Sequence, residues 1–301
     1  MPHGKKTRPL KFLININKTA WNINEFCLFD LNKNALYFVK PFNLIFMKKN
    51  TLLLLTICIF KGFFSLNAQE YKYAAFKKEG KTLPYRILLP EDYDVEKKYP
   101  LVLFLHGSGE RGNDNELQLV HGSSLFLDKD FRKQNPAIVV FPQCGADDFW
   151  STLDRDNPSG FGFVEKPKNN ETLELVEGML DDLILNHGVD KKRIYVGGLS
   201  MGGMGTYELV YRNPRKFAAA FAICGGANPK IARKLRRPAW RIDHGEADEV
   251  VPVELSKKMV SAILKKRGSV TYNWYPGVNH NSWDNVFADS EFLPWLFAQK
   301  K

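Results

Sequence analysis

Short, uninterrupted apolar segments alternate with amphipathic segments from about residue 69 onward, and this alternation limits the possible folds more than any other feature. Because the segments are apolar at consecutive positions, they predict strands covered on both faces, as in a parallel sheet. A helical pattern such as 171–188 separates them, and strand–helix alternation predicts a doubly wound α/β sheet. The apolar segments begin at Pro100, Ala137, Arg193, Phe217, Pro238 and Val270.

Three further patterns surround these strands. Segments 71–77 and 83–89 flank a Glu-Gly pair and predict an antiparallel hairpin before the first buried strand. Segment 146–169 is irregular and rich in Gly, Pro, Asp and Asn, so it predicts either a functional loop or a disordered one, and it follows a strand end, where sites of α/β folds lie. Pro294 in the last helical pattern predicts a kink or break at that residue.

The positive charge of the chain is concentrated at its beginning. Residues 1–68 hold ten of the 43 Lys and Arg residues but only two of the 33 Asp and Glu residues. The remaining chain is nearly neutral, so its composition does not indicate a nucleic-acid partner. A length of 301 residues allows one large domain or two small ones.

The N-terminal region has the pattern of a leader. Segment 47–68 combines Lys48 and Lys49 with a short apolar stretch and ends in small residues, which predicts a secretory signal peptide. An uncleaved anchor is the alternative interpretation. Residues 1–46 precede a plausible start at Met47, and we interpret them as a non-native or disordered extension. A mature single domain over 69–301 is then predicted to be periplasmic or secreted.

The segment Gly198-Leu199-Ser200-Met201-Gly202 lies between a predicted strand and a predicted helix. Such a junction places a nucleophilic serine on a tight turn, with the two glycines relieving crowding around its side chain. The N–H of Met201 at the helix start would then face a tetrahedral oxyanion. An ordinary glycine-rich helix start is the alternative interpretation.

A serine hydroxyl needs a base, and the base needs an orienting acid. His280 follows the last predicted strand, and Asp248 follows the strand before it, with Glu246 and Asp243 as alternatives. The order Ser200, Asp248, His280 is one known order of a catalytic triad. The other histidines of the mature segment are interpreted as structural or surface residues, with one of them, His121, also a candidate for the site wall: His106, His121, His187 and His244.

The glycine-rich loop 106–112 follows the first central strand and can present backbone N–H groups. We predict Ser108 as the second oxyanion donor, with Gly109 as the alternative and as a substrate contact. Glu110 and Arg111 are predicted to form an ion pair within this loop rather than to bind a polar leaving group.

Aromatic residues are the candidates for substrate binding. Trp150 lies in the irregular segment 146–169, and Trp283 follows His280 by three residues. Aromatic rings fit the faces of sugars and aromatic acyl groups. Packing of the last helix is the alternative role for Trp283.

Together these motifs resemble the α/β-hydrolase superfamily over nearly all of residues 80–301. Within it, the chain is similar to a compact esterase group that includes dienelactone-hydrolase-like enzymes, phospholipase/carboxylesterases, and feruloyl and acetylxylan esterases. The resemblance implies a mostly parallel eight-stranded sheet with an N-terminal antiparallel hairpin. Serine in place of the cysteine of true dienelactone hydrolases argues against that activity. The resemblance is carried by segments 106–112, 142–144, 198–203 and 244–252, with Trp150 and His280.

The resemblance also places the strands that lead to Cys144 and Cys224 three steps apart, which implies two free thiols. It implies a serine esterase acting on small-molecule or polysaccharide-linked esters, such as acylated polysaccharide or phenolic esters. A serine peptidase of related fold and a catalytically silent binding module are the alternatives. No CxxC or HExxH spacing occurs, so no metal or cofactor is expected. A monomer or small homo-oligomer without a membrane span after signal cleavage is expected.

Overall fold

The computed structural model describes residues 70–154 and 161–301, together with the backbone of four short strands before residue 48. It divides into two compact units, residues 1–66 and 67–301. In the first unit the four strands pair antiparallel in chain order. The signal-peptide prediction lies, apart from Met47, outside the described residues, and the predicted boundaries stay predictions. The strands are β1 (Leu13–Ile14), β2 (Phe26–Asp30), β3 (Ala35–Lys40) and β4 (Asn43–Met47).

The second unit is built on one eight-stranded sheet, as predicted, with the order β12-β11-β10-β9-β7-β8-β6-β5. The β5–β6 and β6–β8 pairs are antiparallel and all other pairs are parallel. The predicted hairpin is therefore confirmed as β5 and β6. The strands are β5 (Lys72–Lys78), β6 (Lys81–Leu88), β7 (Tyr99–Leu105), β8 (Ile138–Pro142), β9 (Val189–Leu199), β10 (Ala219–Ile223), β11 (Ala239–Gly245) and β12 (Val270–Tyr275).

The continuous apolarity of the central strands arises because both faces of the sheet are covered. Every residue of β7, β8 and β10 is buried. Along β7, Leu103 packs in a core cluster on one face, whereas Phe104 packs in a second cluster that includes residues of the C-terminal helices. The helices of this unit are α1 (Lys129–Gln134), α2 (Glu171–Asn186), α3 (Met201–Arg212), α4 (Ala232–Leu235), α5 (Val253–Lys265), α6 (Trp283–Ala288) and α7 (Phe292–Phe297).

Two helix boundaries show how local sequence acts. The Asn170 side chain accepts the Leu173 N–H at 2.9 Å and caps the start of α2. The prediction of a break at Pro294 is wrong, because the break falls between Ala288 and Phe292. Pro294 is the third residue of α7, where a backbone N–H has no partner within the helix, so proline costs little there.

The two cysteines of this unit stand apart, as the resemblance implied. Cys144 follows β8 and Cys224 follows β10, and strands β7 and β9 lie between them in the sheet. Both thiols are buried and free. In the part of the chain that the structure describes, no helix combines the length and apolarity needed to span a bilayer.

Replacing Leu103 by Ala should lower the free energy of unfolding by about 2–5 kcal/mol, because the side chain is fully buried in β7 and its loss leaves a cavity. Leu185→Ala is the matched control, since Leu185 is 81% exposed, and it should change stability by less than about 0.5 kcal/mol. Urea denaturation of the full chain followed by circular dichroism measures both. Equal losses would contradict the assignment of β7 to the core.

Candidate active site

Ser200 occupies a strained turn between β9 and α3. Its backbone has φ 51° and ψ −117°, a left-handed region that non-glycine residues adopt only at an energetic cost. The Ser200 N–H donates to the carbonyl of Ile223 at the end of β10, and the Ser200 carbonyl accepts the Met204 N–H. The turn is therefore held from the neighbouring strand and from the helix that it begins.

The glycines on either side of Ser200 allow close contact with the end of β7. A Cβ atom at Gly198 would lie 2.2 Å from the Leu105 carbonyl oxygen, and one at Gly202 would lie 1.9 Å from the same atom. The expected need for glycine is present, but the reason differs from the prediction. The nearest atom at both positions is the Leu105 carbonyl oxygen, and a Cβ at Gly198 would also lie 2.8 Å from the Gly202 backbone.

Three distant residues meet at this turn. The His280 imidazole places Nε2 2.9 Å from Ser200 Oγ and Nδ1 2.8 Å from Asp248 Oδ2. Since a carboxylate only accepts, Nδ1 carries the proton and Nε2 is free to accept the serine hydroxyl. The other carboxylate oxygen of Asp248 accepts the N–H groups of Val250 and Val251 at 2.9 and 2.8 Å. The structure therefore brings together all three predicted triad residues.

The alternative acids are engaged elsewhere. Asp243 is buried within β11 and pairs with Arg241 at 3.0 Å. Glu246 is exposed, and its nearest ionic contact is Lys257 at 3.7 Å. Asp248 is thus the acid that contacts His280.

The two predicted oxyanion donors are backbone groups at helix starts. Met201 is the first residue of α3, and Ser108 begins a 3₁₀ turn over Ser108–Glu110. The first N–H groups of a helix have no partner within it, and neither group has an acceptor among the described residues. A Cβ at Gly107 would lie 3.8 Å from Ser200 Cβ, so the loop adjoins the serine. The oxyanion role stays a prediction.

Trp150 does not line the site, which corrects the predicted substrate contact. The residue is 0% exposed, and its indole Nε1–H donates to the His106 carbonyl at 3.1 Å. A Cβ at Gly205 of α3 would lie 2.4 Å from Trp150 Cβ, so the base of the Trp150 side chain packs against this helix. Through its hydrogen bond to the His106 carbonyl, Trp150 holds the start of the 106–112 loop in place.

His106 is a structural residue, as expected. Its Nδ1–H donates to the Gly107 carbonyl at 2.6 Å, and its Nε2 accepts the Cys144 N–H at 2.9 Å. Burial lowers the pKa of His106 to about 4, so the ring is neutral and can accept at Nε2. The imidazole thereby joins the loops that follow β7 and β8.

Trp283 forms a wall beside the reactive histidine. Its ring lies edge-on to His280, with centroids 5.5 Å apart, and 5.2 Å from His121. Trp283 is half-buried and packs against the core as well, so both of its predicted roles fit its position. Gly109, the alternative oxyanion donor in the 106–112 loop, is exposed.

The ion pair predicted between Glu110 and Arg111 is not formed. Arg111 donates from Nε to the Ser108 carbonyl at 3.0 Å, whereas Glu110 turns toward His121, with Oε1 3.8 Å from Nε2. The second oxygen of Glu110 is buried and has no hydrogen-bond partner among the described residues. The side chains of Glu110 and Arg111 point in different directions because they lie on a tight turn. Their adjacency in the sequence does not show this.

Sequence reasoning missed one contributor to the site. This residue is His244, whose Nε2 lies 3.1 Å from Asp248 Oδ2. Its spacing of four residues from Asp248 was the available signal, but a histidine before glycine at a strand end was interpreted as structural. Sequence reasoning also missed an aromatic pair in the irregular loop, where Phe161 and Phe163 stack with centroids 5.9 Å apart and Asn228 donates to the Phe163 carbonyl at 2.9 Å.

The Cys224 thiol lies under the triad. Its sulfur and one atom each of Asp248 and His280 lie within 4.8 Å of one another. Burial raises the pKa of this thiol well above its usual range, so it is neutral. Because Asp248 and His280 already hydrogen-bond each other, the geometry matches a triad, and the absence of a metal stays an expectation.

The stability of the fold should decrease as the pH falls from about 6.5 to about 4. The unfolded chain takes up a proton on His106 below about 6.5, but the folded chain does so only below about 4, so acid favours unfolding by on the order of 3 kcal/mol in this window. His106→Gln should flatten this pH dependence in urea titrations. An unaltered slope in His106→Gln would contradict the assignment.

Gly202→Ala should destabilise the chain by roughly 3 kcal/mol or more, because the new methyl group meets the immobile Leu105 carbonyl. Gly109→Ala is the matched control, since no atom lies within 4 Å of the position that its methyl group would take, and it should unfold at close to the wild-type temperature. Differential scanning calorimetry compares the two. A Gly202→Ala variant as stable as Gly109→Ala would show that the contact with β7 is not required.

Comparisons with known proteins agree with this geometry. The phospholipase/carboxylesterase family matches residues 93–293. A bifunctional acetylxylan esterase/xylanase of Neocallimastix patriciarum is 31% identical over 167 residues, which make up 55% of this chain and 21% of that protein. Lysophospholipase-like protein 1 of Mus musculus is 26% identical over 200 residues, covering 60% of this chain and 79% of that protein.

Among solved structures, a thermostable esterase shares 35% sequence identity and superposes with a TM-score of 0.71, covering 78% of this chain and 64% of that one. The chain thus spans about a fifth of the fungal bifunctional enzyme and just under two thirds of the thermostable esterase. These matches confirm the resemblance to the α/β-hydrolase esterase group. The chain belongs to the phospholipase/carboxylesterase family.

Proposed function

We propose that this protein is a serine hydrolase that cleaves carboxylic esters through an acyl-enzyme. The observation that carries the proposal is the hydrogen-bonded series Ser200–His280–Asp248, assembled at the carboxyl end of the sheet. The Ser200 side chain is nearly buried and His280 retains 20% side-chain exposure, so a substrate can approach the pair from one side. Family membership supports the same reaction class.

In the proposed acylation step, Ser200 Oγ attacks the ester carbonyl carbon while His280 Nε2 takes the hydroxyl proton. Asp248 accepts the Nδ1–H and stabilises the imidazolium. The tetrahedral intermediate then breaks its bond to the alcohol oxygen, which leaves with the proton from His280. Water, deprotonated by His280, attacks the acyl-enzyme, and a second collapse releases the acid and restores Ser200.

The oxyanion of each tetrahedral intermediate needs fixed donors. The free N–H groups of Met201 and Ser108 are our proposed donors, and each contributes about 3–4 kcal/mol of transition-state stabilisation by analogy with measured oxyanion donors. Both groups belong to backbone segments held by buried contacts, the elbow turn at Ser200 and the loop supported by His106 and Trp150. Such donors need little reorganisation during the reaction.

Acylated polysaccharides or phenolic esters are the proposed substrates, in the periplasm or outside the cell. The acetylxylan esterase similarity supports this choice, as does the predicted signal peptide. The lysophospholipase-like relative makes a lipid ester the competing substrate class.

Ser200→Ala should lower kcat/KM on p-nitrophenyl acetate by at least roughly 10³-fold, because the nucleophile is removed while the fold is retained. Ser261→Ala, on the exposed side of α5, is the matched control and should retain wild-type activity. A fluorophosphonate probe should label the wild type and the control but not Ser200→Ala. Absence of labelling in all three would support a catalytically silent module, and equal labelling of all three would show that Ser200 is not the activated nucleophile.

A substrate panel separates the remaining alternatives. Acetylated xylan, methyl ferulate, a lysophospholipid and a peptide amide should be tested with the full chain at equal concentrations. We expect the first two to be cleaved fastest. Faster cleavage of the lysophospholipid would overturn the polysaccharide proposal, and cleavage of the amide alone would indicate a peptidase.

A further inference from the structure

A second histidine, His244, is fully buried behind the triad acid. It lies near the end of β11, and its Nε2 is 3.1 Å from Asp248 Oδ2 and 2.8 Å from the Val251 carbonyl. Its Nδ1 is 2.7 Å from the hydroxyl of Ser256 in α5, which in turn lies 2.9 Å from the Gly225 carbonyl beyond β10. The imidazole therefore links two strand ends to the acid of the triad.

The contacts of Asp248 show how the two histidines share it. Oδ2 faces both His280 at 2.8 Å and His244 at 3.1 Å, while Oδ1 accepts two backbone N–H groups. The Asp248 side chain has no exposed surface, so water cannot replace a lost donor. Removing one donor from a buried carboxylate changes both its orientation and its charge distribution.

The neighbours of His244 determine its tautomer. Both groups next to Nε2, the Asp248 carboxylate and the Val251 carbonyl, can only accept, so Nε2 must carry a proton. Burial lowers the pKa of His244, so the ring is neutral and its Nδ1 has no proton. The single proton of the Ser256 hydroxyl therefore points to Nδ1 at 2.7 Å, the shorter of its two contacts, rather than to the Gly225 carbonyl at 2.9 Å. The titratable groups around it are Asp248, His280 and, close to both of these, the neutral Cys224 thiol.

We propose that His244 is a positioning residue that acts through Asp248, holding the carboxylate in place for His280 and withdrawing part of its charge. This inference rests on the proposed function. Without the Nε2–H of His244, more negative charge would be available at Oδ2 to the His280 imidazolium. This charge would stabilise the protonated ring in the variant, and activity that needs the neutral ring would begin at a higher pH.

Two substitutions separate the two ring nitrogens. The amide of Gln reaches the position of Nε2, so His244→Gln keeps a donor to Asp248. The amide of Asn reaches only the position of Nδ1, so His244→Asn removes that donor while leaving a partner for Ser256. The His244→Asn variant should have a kcat about tenfold lower and a KM within twofold of wild type. In a plot of kcat against pH, the acid limb is the range over which activity rises with pH. In His244→Asn the midpoint of this acid limb should shift upward by roughly 0.5 pH unit.

His244→Gln should restore most of kcat and the wild-type acid limb. Ser256→Ala removes only the outer contact and should also keep the acid limb, so it tests the proposal even if a His244 variant fails to fold. A purely structural role would lower the melting temperature in His244→Asn and His244→Gln alike without moving the acid limb. That result, or an unshifted acid limb in folded His244→Asn, would overturn the proposal.

The rate of fluorophosphonate labelling as a function of pH gives the same comparison without an ester substrate. We expect the pH at half-maximal rate to rise in His244→Asn and to match wild type in His244→Gln. Labelling of wild type at Ser200 with no shift in His244→Asn would reject this inference and leave the proposed function standing. Absence of labelling in wild type would instead reject the proposed function.

Discussion

The structure depends on the close contact between the Ser200 turn and the end of strand β7. Ser200 can hold its left-handed backbone only because β9, β10 and α3 determine the positions of the chain on both sides. The Leu105 carbonyl occupies the space that side chains at Gly198 and Gly202 would need. This contact places the serine hydroxyl above the sheet and puts the start of α3 next to the loop after β7. The positions of the nucleophile and of the proposed oxyanion donors thus depend on the same packing contact.

Buried polar groups connect the loops around this turn. His106 joins the loops after β7 and β8, and His244 joins the loop after β10 to α5 and Asp248. Each ring is neutral because burial disfavours its charge, so each acts as one donor and one acceptor with a single tautomer. Such residues carry no net charge into the site, yet they restrict the positions of the groups that do chemistry. The rigidity of the site therefore comes from hydrogen bonds between strand ends as much as from apolar packing.

The sequence was a good guide to chemistry and a poor guide to side-chain direction. Continuous apolar segments predicted the central strands because both sheet faces are covered, and the glycine pattern at a strand–helix junction identified the serine turn. Trp150 was expected at the substrate because aromatic rings fit the faces of sugars and aromatic acyl groups, but it is fully buried and packs against α3. Glu110 was expected to pair with Arg111, but the short 3₁₀ turn directs their side chains apart. In both cases the local residue type was compatible with two environments, and only long-range packing selects between them.

By itself, the sequence determined the α/β class, the order of the strands and helices, and the residue types available for acyl transfer. These features depend on local periodicity and on short motifs, which a linear chain records directly. Only the tertiary structure decided that Asp248 rather than Asp243 faces His280, that Trp150 is buried, and that His244 shares the triad carboxylate. Those outcomes depend on which side chains from distant segments meet at one edge of the sheet. Strand register and loop direction set such meetings, and neither is encoded by the residues near the site alone.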